Sequence, residues 1–72
     1  MKNFKVVKKL ISKVLRVSED KITINSKNTD FNNWDSLALV RITLEIEKKF
    51  KIKIAPRNLN KLNSVKSILK LL

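Results

Sequence analysis

Asn33-Trp34-Asp35-Ser36-Leu37 marks the point where an irregular segment gives way to a long amphipathic run, and the fold follows from this junction. Asp35 is a good N-cap, because its carboxylate can accept hydrogen bonds from the first free backbone N–H groups of a helix. Ser36 then falls in the first turn, and Leu37 opens the apolar pattern. An anion attached to Ser36 would stand at the positive end of the helix macrodipole, beside N–H groups that no intrahelical carbonyl reaches. Taken alone, the triplet reads as an ordinary cap, since Ser and Asp are favoured at helix starts in general.

Downstream, the pattern predicts a helix from Ser36 to Phe50 whose apolar residues fall on two separate stripes. Leu39, Ile42, Ile46 and Phe50 make one; Leu37, Val40 and Leu44 make another, nearly opposite. Arg41 and Lys48 lie beside the second stripe, and Glu47 flanks it. A domain this small does not easily bury both faces of one helix. The second stripe either packs under the preceding loop or stays partly exposed as a docking surface. Ser36 at the head of the helix favours docking, with Leu37, Val40, Arg41, Leu44, Glu47 and Lys48 as the candidate set.

Upstream, Phe4, Val7, Leu10, Ile11, Val14 and Leu15 recur at helical spacing, with Lys5, Lys9, Lys13 and Arg16 on the opposite side. This predicts a first helix with a basic outer face. From Val17 to Asn33 the periodicity breaks: Ser18-Glu19-Asp20 can cap a single turn, Ile22 and Ile24 pin the segment to the core, and Phe31 and Trp34 anchor its end. A loop of this length inside a compact domain is uncommon and often functional. Beyond Phe50, Lys51-Ile52-Lys53-Ile54 reads as an extended connector that buries Ile54. Pro56 opens a brief third helix to Leu62. Asn63 or Ser64 caps a last helix carrying Val65, Ile68, Leu69 and Leu72.

Composition narrows the chemistry. The chain has 72 residues, 43% of them apolar, which suits one small globular domain over residues 1–72. It contains no histidine, cysteine or glycine. That excludes Ser-His-Asp and Cys-His nucleophile systems, disulfides, thiolate metal sites and Gly-rich phosphate loops. Seventeen Lys and Arg against six Asp and Glu give +11, a charge suited to a polyanion, an acidic protein surface or an anionic membrane. No segment is long and apolar enough to span a bilayer, and the first residues lack the apolar run of a signal peptide, so the expected location is the cytoplasm.

A helix, a long loop, Asp35-Ser36-Leu37 at the head of a second helix, a short third helix and a fourth together resemble an acyl carrier protein. The resemblance spans nearly the whole chain. Glu47 and Phe50 match a Glu and a Phe in the closing turns of the family's second helix. Ile54 with Pro56, then Leu62, Ser64 and Val65, match the stretch that leads into its fourth. The resemblance implies an all-α fold: a small four-helix bundle with a long loop between helices 1 and 2 and a short third helix. It also implies that Ser36 carries 4′-phosphopantetheine, transferred from coenzyme A by a Mg²⁺-dependent transferase, and that Asp35 is part of what the transferase recognises. The arm's thiol would hold acyl groups as thioesters, so the protein itself would be no enzyme. Its partners would be that phosphopantetheinyl transferase and acyl-loading and acyl-transfer enzymes, with the carrier acting as a monomer.

The chain departs from the family pattern in two ways. Family members often have a glycine two residues before the triplet's Asp, where this chain has Asn33 followed by a bulky Trp34. Ala38, Arg41 and Lys48 stand where acidic residues are usual, leaving only Glu47. These departures point to a specialised pathway, with partners whose docking surfaces are acidic or apolar, and away from housekeeping fatty acid synthesis. Peptidyl carriers tend to have a His before the serine, so Asp35 tilts the reading toward acyl cargo, with aminoacyl cargo such as D-alanine left open. A basic helical nucleic-acid-binding module is the rival class, which the charge favours. Yet the lysines are spread over every segment and no recognition helix stands out, so nucleic acid is not the expected partner. A carrier-like protein that is never modified and only binds partners is the third reading.

Overall fold

The computed structural model describes residues 2–72, and Met1 lies outside them. Three α-helices form: α1 (Lys2–Leu15), α2 (Ser36–Phe50) and α3 (Val65–Leu71). A 3₁₀ helix, Pro56–Leu62, stands between α2 and α3, and shorter 3₁₀ turns at Glu19–Lys21 and Asn28–Asp30 break up the long first loop. The order of four helical segments agrees with the sequence reading, and no strand occurs among the described residues. The third segment is 3₁₀ and not α. Pro56 sits at its start, no side chain caps it, and Asn58 and Asn60 are weak helix formers.

The core is aliphatic. Val7, Ile11 and Leu15 of α1, Ile42 and Ile46 of α2, Leu62 of the 3₁₀ segment, and Val65 and Ile68 of α3 are all but sealed from solvent. α1 packs against both α2 and α3, while the Pro56–Leu62 segment fills the angle between α2 and α3. Leu39 and Phe50, on the same inward stripe of α2, are only partly buried at its edge. Ile54 was expected to be buried but lies, like Ile52, half-exposed at the rim of the core. The buried hydroxyls of Ser12 and Thr43 turn back onto their own helices, donating to Lys9 O and Leu39 O at 2.8 Å each.

The long loop is pinned rather than slack. Ser18 caps the Glu19–Lys21 turn by accepting from the Asp20 N–H, as its sequence suggested. Ile22 plugs into the core. Further on, Asn28 N–H donates to Asn63 O at 2.7 Å, and Ser26 O accepts from Val65 N–H at 3.0 Å. The loop is thereby tied to the start of α3, where the Ser64 hydroxyl caps the helix by accepting from Ser67 N–H. Phe31 and Trp34 close the loop with ring centroids 6.2 Å apart.

With no glycine in the chain, both long helices end on charged residues in the left-handed region: Arg16 at φ 57° and Lys51 at φ 56°. Val17 N–H and Ile52 N–H then reach back to Ser12 O and Glu47 O, at 3.0 and 3.2 Å, as a Schellman-type ending requires. A side chain with a Cβ costs roughly 1–2 kcal/mol in this conformation. Part of that gain is lost because glycine has more backbone freedom to surrender on folding.

Two outcomes follow. Arg16→Gly or Lys51→Gly should each stabilise the domain by about 1 kcal/mol, a rise of roughly 4–8 °C in Tm; an unchanged or lower Tm would mean that the helices do not end this way. In urea unfolding, Ile46→Ala should cost about 2–5 kcal/mol, whereas Leu44→Ala should stay within about 0.5 kcal/mol. Equal losses would mean that the two stripes of α2 are wrongly assigned.

Candidate functional site

The head of α2 is fixed from two sides. Asp35 is extended, and its Oδ1 accepts from Ala38 N–H at 3.0 Å while its carbonyl accepts from Leu39 N–H at 2.9 Å. This is the capping role the sequence assigned to it. Two residues earlier, Asn33 Nδ2 donates to Leu15 O at 2.7 Å, filling one of the carbonyls that the end of α1 leaves open. The last turn of α1 thus holds the entry to α2. Asn33 does not adopt a positive φ, so a residue with a Cβ sits there without strain.

Trp34, between those two residues, is 4% exposed and belongs to the core. Its indole Nε1 is buried without a hydrogen-bond partner, which costs roughly 1–3 kcal/mol. The ring is a wedge that holds the loop against the bundle behind Ser36. Neither the Asn33–Leu15 bond nor the burial of Trp34 beneath the site was read from the sequence in full. Trp34 was expected as an anchor, and Asn33 only as one of several turn formers.

Ser36 is exposed on the first turn of α2. Together with Asn28, Trp34, Asp35, Leu39 and Asn63 it lines an open cleft of about 450 Å³. The second stripe of α2 remains in solvent: Leu37, Val40 and Leu44 are 62%, 47% and 58% exposed. The loop does not cover it, so of the two alternatives for this stripe the exposed one holds. Arg41 and Lys48 are exposed beside it. Glu47 is half-buried, and its Oε2 accepts from Ile54 N–H at 2.8 Å, which fastens the connector to α2. Ala38 is buried, so of the three departures from acidic residues only Arg41 and Lys48 alter the surface.

This arrangement suits a covalently attached anionic group. A hydroxyl free in solvent stands on the first turn of a fifteen-residue helix, where the macrodipole is positive. Its backbone is held by a side-chain cap and by a bond to the neighbouring helix. A cleft with room for a substituent opens beside it.

Residues 5–72 match the family described as the phosphopantetheine attachment site. The chain is 39% identical over 61 residues to the acyl carrier protein of Buchnera aphidicola subsp. Schizaphis graminum, covering 85% of this chain and 77% of that one. It is 36% identical over 69 residues to the acyl carrier protein of Petrotoga mobilis, covering 96% and 81%. Against the acyl carrier protein of Thermotoga maritima it is 35% identical over 65 residues, covering 90% and 80%. The chain therefore belongs to the acyl carrier protein family, whose cofactor is covalently bound 4′-phosphopantetheine.

The cap separates shape from charge. Asp35→Ala should lose about 0.5–2 kcal/mol of stability in urea unfolding. Asp35→Asn should keep nearly all of it, because Asn caps as well as Asp. Equal destabilisation by both would mean that the carboxylate acts by charge rather than as an acceptor for Ala38 N–H.

Proposed function

We propose that this protein is an acyl carrier in a specialised pathway, with its 4′-phosphopantetheine arm joined to the Ser36 hydroxyl oxygen. The observation that carries this reading is the exposed Ser36 on the capped first turn of α2, at the head of an apolar stripe that nothing in the fold covers. When bound, the arm supplies a terminal thiol on which acyl groups are held as thioesters. Everything else is the work of the chain's own residues. Ser36 would provide the oxygen of the phosphodiester. The N–H groups at the start of α2 would favour the negative charge of a phosphate attached there. Asp35 keeps that turn wound and offers the transferase a carboxylate to recognise. Because Asn33 ties the turn to α1, the arm would leave from a fixed point, and partner enzymes would meet a fixed geometry.

On this reading the protein is a carrier and no enzyme, working in the cytoplasm, where coenzyme A and the transferase are at hand. Leu37, Val40 and Leu44 supply an apolar docking patch, and Arg41 and Lys48 frame it with positive charge. Glu47 is already held by Ile54 N–H and contributes less to that frame. Acyl-handling partners with acidic rims around an apolar centre complement such a face, and the basic docking surfaces of housekeeping fatty acid synthesis do not. No helix of the described residues is long and apolar enough to cross a membrane.

Intact mass after co-expression with a broad-specificity phosphopantetheinyl transferase tests the attachment. The wild-type chain should gain the mass of one phosphopantetheine and Ser36→Ala should gain none; an unmodified wild-type chain would remove the carrier reading. Docking is tested by kinetics. Exposed pairs contribute about 0.2–1 kcal/mol each. Arg41→Glu with Lys48→Glu should therefore raise kcat/KM with a housekeeping malonyl-transfer enzyme by roughly 2- to 30-fold at low salt. An unchanged kcat/KM would mean that these cations do not decide which partners dock.

A further inference from the structure

α1 and α2 meet in a groove on a different flank from the cleft beside Ser36. Lys5, Lys9 and Lys13 line it from α1, Lys48 and Lys49 from α2, and half-exposed Val6, with the largely buried Leu10 beneath, forms an aliphatic floor between them. The groove is open and encloses about 720 Å³. Its single carboxylate, Glu45, is spoken for by Lys13, with Nζ and Oε1 3.6 Å apart. Five ammonium groups against one carboxylate leave the groove at +4. Like charges facing one another across a concave surface repel, and the concavity concentrates their field. An anion seated there would relieve that repulsion.

We infer that this groove is a second docking site, and that its occupant is an acidic amphipathic helix belonging to a partner protein. The lysines repeat every fourth residue along α1, so they form a rail parallel to the helix axis rather than a point site for a small anion. A helix about 10 Å across fits a groove between two helices. Its acidic sides would meet the lysine rails, and its apolar ridge would lie on Val6 and Leu10. A flat anionic bilayer would meet the lysine tips and leave that floor empty. A nucleic-acid backbone would satisfy the rails but brings no apolar ridge. The groove shares Lys48 with the rim of the Leu37, Val40 and Leu44 patch, but Lys49 lies roughly 20 Å along α2 from Ser36 at 1.5 Å per residue, so a helix held here would leave the Ser36 end of α2 clear. The inference goes beyond the carrier reading and does not depend on it, since its test needs no modification of Ser36.

The test is fluorescence anisotropy on the full chain with a labelled peptide of Glu and Leu, roughly 15 residues long, its leucines at helical spacing. An isomer of the same composition with scattered leucines is the control. Lys9→Glu with Lys49→Glu should weaken binding of the patterned peptide by about tenfold or more. Lys61→Glu with Lys66→Glu makes the same charge change on exposed lysines elsewhere and should alter binding by less than about twofold. Lys9→Gln with Lys49→Gln, which introduces no carboxylate, should lie between the two, and circular dichroism checks that each variant is folded. The scattered isomer should bind at least about fivefold more weakly than the patterned one. Equal losses from both lysine pairs, or equal binding of the two isomers, would overturn the proposal. So would tighter Lys9- and Lys49-dependent binding to phosphatidylglycerol vesicles or to duplex DNA, which would assign the groove to a membrane or a nucleic acid.

Discussion

Ile42 and Ile46 are fully buried, and their burial fixes the rotation of α2 about its own axis. Each is worth roughly 1.5–3 kcal/mol relative to exposure, a large share of the stability open to a domain of this size. With those two side chains turned toward α1 and the Pro56–Leu62 segment, Leu37, Val40 and Leu44 have to face water. Ser36 emerges at the head of that outward face. The exposure of three large aliphatic residues on one face is thus a consequence of how the core is made, and it places an apolar surface beside the exposed hydroxyl of Ser36, the proposed point of attachment.

Much of this was legible in the sequence because it is local. The bounds of α2, its Asp35 cap, the Ser18 turn and the two stripes all follow from periodicity and capping within a few residues. What was not legible depends on segments meeting. The Asn33 side chain finds Leu15 O eighteen residues away, and Glu47 finds the backbone of the connector. The bonds from Asn28 and Ser26 to the start of α3 exist only once the loop has folded across the bundle. Phe50 lies on the inward stripe as its spacing required, yet only partly buried, because α2 ends there at the edge of the core. Pro56–Leu62 kept its place and length but tightened to 3₁₀, a choice between two hydrogen-bonding patterns that periodicity over seven residues does not resolve.

The missing glycines and the surplus of lysine shape the same molecule. Arg16 and Lys51 end the long helices where glycine would be easier, and the +11 charge is matched among the described residues by a single ion pair, Lys13–Glu45. Exposed cations therefore flank the outward stripe of α2, among them Arg41 and Lys48. At the head of α2 the carboxylate of Asp35 serves as the cap, accepting from Ala38 N–H. In the proposed reading, mounting an arm and choosing partners thus fall on different residues of one helix. Asp35 and Asn33 act there through hydrogen bonds to backbone, whereas Arg41 and Lys48 would act through side-chain charge.

An arm attached at Ser36 requires the head of α2 to be a preformed, rigid mount. Amide hydrogen exchange followed by NMR, on the chain before and after modification by the transferase, tests this most directly. The N–H groups of Ala38 and Leu39, held by Asp35, should already be as well protected in the unmodified protein as that of Ile42, and modification should shift resonances around Trp34 to Val40 while leaving that protection in place. Fast exchange at Ala38 and Leu39 before modification, slowing only afterwards, would contradict it, because the helix start would then be made by the arm and not by the chain.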